Sequence, residues 1–351
     1  MATVTGPKWC RCIFVFVFLG VSTPLMAADE CAMSLVGAQL DQDLFLEPFP
    51  GVNEDRDYTM GLFFRFNSCR KSSSWFSTHE VQHSLLGLLS IGDAQTQYLY
   101  STAFESLTFT PDELPASDPV FEDRPYSSIL QVTNSLVAFK NEARAATEVS
   151  LSAGFLGLPI SEWTQRGLHQ IVRHLADSEE PFDPNGWNNQ ISNGVEPTAR
   201  LGLTWHYRQD LRPDWLDLVY SAGATVGYQT GAHAGATVRF GLLNKQKPVW
   251  QTGVAGSYLT ERTRGRELYG ILANRINFVG YNVLLQGQFR SNPHELSSSE
   301  IERFVLENTI GIGWYNERSD WLFSCTRRSA EFDLAERRAH LFCSLGFTRA
   351  L

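Results

Sequence analysis

The segment TMGLFFRFN, residues 59–67, decides the fold class because its side chains alternate in character from one position to the next. A β-strand directs successive side chains to opposite faces, so odd and even positions fall on different surfaces. One face of this segment carries only large apolar residues, whereas the other carries glycine, threonine, arginine, asparagine and one phenylalanine. The alternation predicts a strand between an apolar and a polar environment. The same pattern returns at 199–208, 234–242 and 339–347.

A soluble β-sandwich and a membrane β-barrel both produce this period, and the length of the segments favours the barrel. Strands of about ten residues can cross a bilayer at a tilt. Aromatic residues such as Trp205, Tyr220 and Trp314 recur where interface girdles would lie. The sequence therefore predicts an all-β fold, an antiparallel transmembrane β-barrel of about twelve strands with one short helix beside the wall.

The expected strands lie near 33–43, 58–69, 97–110, 128–141, 146–157, 196–208, 215–229, 234–243, 249–263, 302–316, 319–331 and 337–347. Residues 264–295 fit either two long strands or an external insertion. The expected helix lies in the long loop from Leu158 to Glu196, where apolar residues recur at helical spacing.

The N-terminus predicts export. Lys8 and Arg11 precede an apolar run, and a small-residue cleavage region follows near Ala27, which is typical of a secretory signal peptide. We expect residues 1–27 to be this signal peptide and residues 28–351 to form the barrel domain in the bacterial outer membrane. The formal net charge of −9 argues against a nucleic-acid partner. We expect a monomer.

Four cysteines remain after the signal peptide, with no metal-ligand spacing among them. Cys325 and Cys343 lie on neighbouring predicted strands and could form a disulfide in an oxidising compartment. The alternative is that both are small apolar residues of the barrel wall, and the sequence favours this alternative.

Two clusters could carry chemistry. Gln170 and His174 are four residues apart on the predicted helix and share a face, which suits a general base and its orienting group. His169 next to them is interpreted as a surface histidine. Gln42 and Asp43 end the first strand with oxygen ligands that suit calcium, although a solvated strand end would look the same. The sequence has no serine in a nucleophile-elbow pattern, so activated water is the better candidate nucleophile.

Several short segments follow one another between residues 41 and 190. They are Asp41-Gln-Asp-Leu44, Asp55-Arg-Asp-Tyr-Thr-Met-Gly61, Phe109-Thr-Pro-Asp-Glu-Leu114, Asp123-Arg-Pro-Tyr-Ser127, Gln170 with His174, and Pro184-Asn-Gly-Trp-Asn-Asn-Gln190. In this order they resemble the outer-membrane lipid A 3′-O-deacylases. The last two segments are similar to that family's Gln-x-x-x-His helix and its Pro-x-Gly-Trp-x-x-Gln run.

The resemblance implies an active site beside the outer leaflet, between the barrel wall and the short helix, that releases acyl chains from lipid A with the help of Ca²⁺. It implies that His174 deprotonates water and that Gln170 orients it. It also implies that Asp43 and Gln42 hold the calcium ion, and that Thr59 lies near the developing oxyanion. The family usually has Asn-Asp at positions 42–43, so Gln42 adds one methylene to the amide. The loop after Pro111 also lacks the family's lysine.

Two other interpretations stay open. The barrel could have lost its activity and act as a narrow pore or a structural protein, because Gln42 stands where the family usually has asparagine. The chain could also be a soluble exported β-protein that binds a ligand in its loops.

Overall fold

The computed structural model describes residues 34–43, 57–71, 74–140, 144–176, 183–212, 215–243, 249–251, 258–260, 265–316 and 318–351. The predicted signal peptide lies outside these residues. Twelve strands form a closed antiparallel barrel, which confirms the predicted fold class. The barrel strands are β1 (Ser34–Gln42), β2 (Asp57–Ser68), β3 (Thr96–Thr110), β4 (Ser127–Lys140), β5 (Ala145–Leu156), β6 (Glu196–Arg212), β7 (Leu216–Gly227), β8 (Gln229–Leu242), β11 (Glu267–Asn282), β12 (Phe304–Tyr315), β13 (Ser319–Arg328) and β14 (His340–Ala350).

The ninth strand of the barrel differs from the prediction. The segment 249–263 was expected to cross the membrane, but its described residues form only a separate hairpin, β9 (Val249–Gln251) and β10 (Tyr258–Thr260). The barrel continues instead with β11, which lies within residues 264–295, the region for which the sequence allowed two interpretations. Apolar side chains lie on both faces of β11: Leu268 is exposed, whereas Ile271 is buried in the interior. That mixture hides the period of two.

Three helices accompany the barrel among the described residues: α1 (His79–Leu88), α2 (Ile160–Ala176) and α3 (Val283–Gln286). The sequence predicted only α2, so the expectation of a single helix is wrong. None of the described helices is long and apolar enough to span a membrane.

The two ends of the barrel are distinct. Twelve antiparallel strands bring the start of β1 and the end of β14 to the same end, which we call the terminal end. The short turns after β4, β6 and β12 lie there too, together with the longer connections 69–95 and 243–266. At the opposite loop end lie the connections 111–126, 157–195 and 283–303. The longest connection, 157–195, is thus at the loop end, and outer-membrane barrels carry their longer loops on the extracellular side. We therefore expect the loop end to face outward from the cell.

Side chains of opposite character cover the two faces of the wall. The lumen holds a cavity of about 310 Å³ whose lining includes Glu148, Arg275 and His233, with Arg328 donating to Glu307 over 2.9 Å. The outer face exposes large apolar side chains that suit contact with lipid. They include Phe64, Phe66, Trp205, Leu272, Phe304, Ile312, Trp314 and Phe323.

Cys325 and Cys343 form a disulfide between β13 and β14, so the interpretation as two separate wall residues is wrong. The strands pair with Cys325 directly opposite Cys343, and their Cα atoms are 4.0 Å apart. That register depends on long-range strand pairing, which the sequence does not reveal. Cys343 also pairs with Gln42 across the seam where β1 and β14 close the barrel.

The interior is filled at the loop end. Val283 and Leu284 of α3 are buried in a cluster of apolar side chains from the strand ends. Beside it Arg124 lies over the Phe109 ring at 4.4 Å and donates to Glu331 over 3.3 Å. The other buried members of the cluster are Tyr58, Phe109, Ile129, Leu156, Tyr228 and Phe342.

Candidate active site on the outer wall

A row of three polar side chains and one methionine lies on the outer face of the barrel at the loop end. Asp41, Leu107 and Phe109 line the lumen, so the alternating positions Gln42 and Thr108 point outward. The strand pairing aligns four such positions across β1 to β4 in one row, which we call the wall row. Its members are Gln42, Met60, Thr108 and Ser128. A lipid-facing wall would expose these groups, yet all four are buried.

The connection between β5 and β6 is attached to the β4 end of the wall row. Gly157 N donates to Ser128 O where the connection leaves β5, and Ser128 Oγ donates to Gln190 Oε1 over 3.1 Å near its end. Between these two attachments lie α2 and a 3-10 turn, Gly186–Asn189. The helix-bearing connection therefore begins and ends at Ser128, next to the other members of the row.

Trp187 joins α2 to the barrel. Its ring lies 5.0 Å from that of Tyr126, and its Nε1 donates to Gln165 Oε1 over 2.9 Å. Both Trp187 and Gln165 are buried. An indole N–H must find an acceptor when buried, so Gln165 fixes the orientation of α2 on the wall.

The segment Asp123-Arg-Pro-Tyr126 holds the neighbouring loop in place. Asp123 accepts from Asp112 N over 2.8 Å and from Arg338 Nη2 over 2.9 Å. Tyr126 Oη donates to Leu114 O over 3.1 Å. Burial alone would lower the pKa of Arg338, but the hydrogen bond to Asp123 and the charges of Asp57 and Asp123 outweigh it and raise this pKa above its ordinary value. The motif therefore anchors the loops that surround the site.

Thr59 lies at an irregularity in β2. The pairing with β3 shifts between Tyr58 and Met60, so Thr59 is the extra residue of a β-bulge. Its Oγ1 is 2.7 Å from Oγ1 of Thr110, and both residues are buried. Bulges re-aim side chains next to functional sites. The structure thus places Thr59 directly beside the wall row.

The acidic cluster at the end of β1 is divided between two environments. Asp41 faces the lumen, where its carboxylate accepts from Tyr58 Oη over 2.8 Å and from Gln39 Nε2 over 2.6 Å. Gln42 is the last strand residue, and Asp43 lies just beyond it, where strand alternation no longer fixes its direction. Gln42 Oε1 is buried without a hydrogen-bond partner among the described residues.

The described residues contain no group of three or more His, Cys, Asp and Glu side chains that could hold a metal ion. Calcium, however, accepts amide and carboxylate oxygens in flexible geometry. The unpartnered Oε1 of Gln42 beside the buried Asp43 fits part of such a ligand set. Calcium binding stays a prediction.

Of the two α2 residues chosen from the sequence, only Gln170 has a described side chain, and it is exposed, whereas Gln165, five positions earlier, is buried. Position 174 lies in the last turn of α2. The side chains at positions 169 and 174 are both outside the described part of the chain. The spacing Gln-x-x-x-His occurs twice on this helix, at 165–169 and at 170–174. Five residues rotate a helix by about 140°, so the two pairs occupy different faces.

A family model described as outer membrane protein LpxR matches residues 13–351. The chain belongs to this family. Membership confirms the family recognised from the short segments, and with the closed barrel it confirms the outer-membrane location. The signal peptide stays a prediction.

The fold of the family is also found among solved structures. LpxR from Salmonella typhimurium aligns with a TM-score of 0.65 and 15% identity, over 90% of this chain and 99% of that chain. The β domain of the Bordetella autotransporter BrkA aligns with a TM-score of 0.42 and 8% identity, over 90% of this chain and 98% of that chain. No curated protein sequence matches the chain.

Three residues of the site escaped the sequence analysis: Thr108, Ser128 and Gln165. Thr108 could have been found, because it is a polar residue on the outward face of a membrane strand. Gln165 begins the first Gln-x-x-x-His pair, and the sequence holds a signal for it in that repeated spacing.

Proposed function

We propose that the protein is an outer-membrane esterase that hydrolyses an ester-linked acyl chain of lipid A. The observation that carries the proposal is the wall row: three polar side chains and Met60 are buried on the outer face at the loop end, where a helix-bearing connection is attached at Ser128. The ester bonds of lipid A lie at that depth of the outer leaflet, and a site in the lumen would not reach them. Family membership supports the same activity.

We further propose that the catalytic histidine is His169 and not His174. Gln165 is buried against Trp187, and position 169 is one turn later on the same helix face. The exposed Gln170 marks the other pair as the one turned away from the wall. His169 would take a proton from water as the water oxygen attacks the ester carbonyl. It would return the proton to the sugar oxygen when the C–O bond breaks.

The remaining roles follow from the wall. Thr59 and Thr108 offer hydroxyl groups beside the row, suited to stabilise an oxyanion. A bound calcium ion would act as a Lewis acid on the ester carbonyl, and Gln42 with Asp43 would hold it. Gln42 keeps the amide oxygen that the family's asparagine supplies, so the substitution alone does not remove a ligand.

The test compares two single variants, His169→Ala and His174→Ala, in a Gram-negative host without lipid A deacylase activity. Lipid A mass spectra report deacylation, and heat-modifiable migration on gels reports barrel folding. We expect His169→Ala to lose deacylation by about 10²- to 10⁴-fold and His174→Ala to keep it. The reverse result would assign the base to His174. Intact lipid A with the folded wild-type protein, in the presence of calcium, would refute the esterase itself.

The alternative of a narrow pore meets a specific obstacle. The apolar cluster around Val283 and Leu284 fills the lumen at the loop end, and the cavity below it is lined by ion-paired side chains. We expect planar bilayers containing the purified protein to show no steady single-channel conductance. Discrete, salt-dependent channel openings from the wild-type protein would favour the pore.

A further inference from the structure

Helix α1 packs against the outside of the barrel, where a membrane protein normally meets lipid. Phe104 on β3 is exposed on the outer face, and Tyr100 and Thr102 share its face by alternation. Tyr100 lies in one cluster with Leu86 of α1, and with Leu136 and Val149 of the neighbouring strands. The helix therefore covers the outer wall of β3 to β5 near the terminal end.

The wall beneath α1 is polar and depends on the helix for hydrogen bonds. Gln82 is fully buried, and its Nε2 donates to Asn134 O over 2.6 Å and to Val149 O over 3.0 Å. Asn134 Nδ2 donates to Phe76 O over 2.8 Å, and His83 Nε2 lies 2.9 Å from Tyr100 Oη. Lipid chains could not satisfy these groups, so α1 stays docked as part of the outer wall.

The other side of this segment exposes four large apolar side chains, together with Glu80 and Ser84. Trp75 is 94% exposed and Leu88 81% exposed, with Val81 and Leu89 about half exposed. Exposure of these large apolar side chains to water would be unfavourable. A group of them on one surface marks an interaction site.

This apolar face is continuous with the lipid-facing wall. The ring of Phe76, next to Trp75, lies 5.7 Å from that of Phe104, and Phe104 lies 6.5 Å from Phe66 on β2. Both Phe66 and Phe104 are exposed on the outer face. At the edge of the same segment Lys71 forms an ion pair with Glu80, which suits the level of lipid head groups.

We propose that residues 74–89 form a lipid-facing element that replaces part of the barrel's own apolar belt and lies in the periplasmic leaflet of the outer membrane. Its occupant is phospholipid: acyl chains contact Val81, Leu88 and Leu89, and Trp75 lies at the interface, where tryptophan is enriched. The element is independent of the esterase site, which is at the other end of the barrel. It would anchor the periplasmic rim at a fixed depth.

The test measures the environment of single spin labels in the full-length protein reconstituted in phosphatidylethanolamine and phosphatidylglycerol vesicles. Leu88→Cys tests α1. Leu272→Cys, exposed on the β11 wall, is the lipid control, and Ser299→Cys, exposed at the loop end, is the water control. Collision with oxygen reports lipid, and collision with a water-soluble nickel chelate reports solvent.

We expect the label at position 88 to match the lipid control, with high oxygen and low nickel collision rates. A match to the water control overturns the proposal. Low rates for both reagents, with cross-linking between copies or to another protein, also overturn it, because a protein would then cover the face. As a second measurement, Trp75→Phe should remove a component of tryptophan emission that brominated phospholipids quench. Unchanged quenching would contradict the interfacial position of Trp75.

Discussion

Trp187→Phe tests whether the buried link between α2 and the wall orients the proposed site. Phenylalanine keeps an aromatic ring against Tyr126 but removes the N–H that donates to Gln165 Oε1. The acceptor then stays buried without its donor, which costs about 1–3 kcal/mol. The matched control is Trp163→Phe, because Trp163 lies on the same helix with its side chain exposed.

If the whole cost falls on the productive orientation of α2, kcat/KM for lipid A falls by about 5- to 160-fold, since about 1.4 kcal/mol corresponds to a factor of ten. Barrel stability should change little, because neither tryptophan belongs to a strand pair. Initial rates of acyl release in mixed detergent and lipid A micelles measure the effect. The control should stay within twofold of wild type, by our estimate of surface substitutions.

Wild-type rates in a folded Trp187→Phe protein would refute the reasoning, since α2 would then not depend on this hydrogen bond. Equal losses in both tryptophan variants would refute it as well, because the exposed residue has no such bond to lose.

Three more predictions concern other parts of the chain. Thr108 Oγ1 is buried without a partner among the described residues. Thr108→Val should therefore leave the free energy of unfolding in urea unchanged or raise it by about 1 kcal/mol, and it should lower the rate of acyl release. Full activity of this variant would remove Thr108 from the site. Replacing Cys325 and Cys343 together by serine should lower the free energy of unfolding by about 3 kcal/mol, because the disulfide closes a loop of 18 residues in the unfolded chain and so lowers its entropy. An unaltered urea midpoint would contradict this. Burial lowers the pKa of both His79 and His83 below the ordinary 6.5, so docked α1 binds fewer protons than free α1 and loses stability as the pH falls. Hydrogen exchange of α1 should therefore accelerate from about pH 7.5 to about pH 5.5 beyond the intrinsic pH effect, and equal protection at both values would exclude a role for these histidines.

The sequence predicted the barrel well where one face of a strand is uniformly apolar. The segment 59–67 of β2 alternates cleanly, and its neighbours do so too. The period fails in β11, because Ile271 packs inside the barrel and both faces become apolar. The prediction also fails within 249–263, where the described residues, 249–251 and 258–260, pair with each other and not with a barrel strand.

Features that depend on pairing between distant strands could not be predicted. The disulfide needs Cys325 opposite Cys343, and the wall row needs Gln42, Met60 and Thr108 in one register. A slip of one residue would turn each of these side chains to the other face. Helix α1 was missed because its buried face includes Gln82 and His79, which hydrogen-bond to backbone carbonyl groups of the wall. An apolar periodicity does not reveal such a face.

The position of the wall row beside the closing seam has a consequence for biogenesis. Gln42 begins the row on β1, which pairs with β2 on one side and with β14, the final strand of the chain, on the other. Pairing with β2 already sets Gln42 opposite Met60, so the row can align before the barrel closes. A chain truncated before its last strand would then carry the aligned row at the open edge of a sheet, where the unpaired backbone of β1 is free to pair with another chain. Closure of the barrel thus protects the edge on which the proposed site begins.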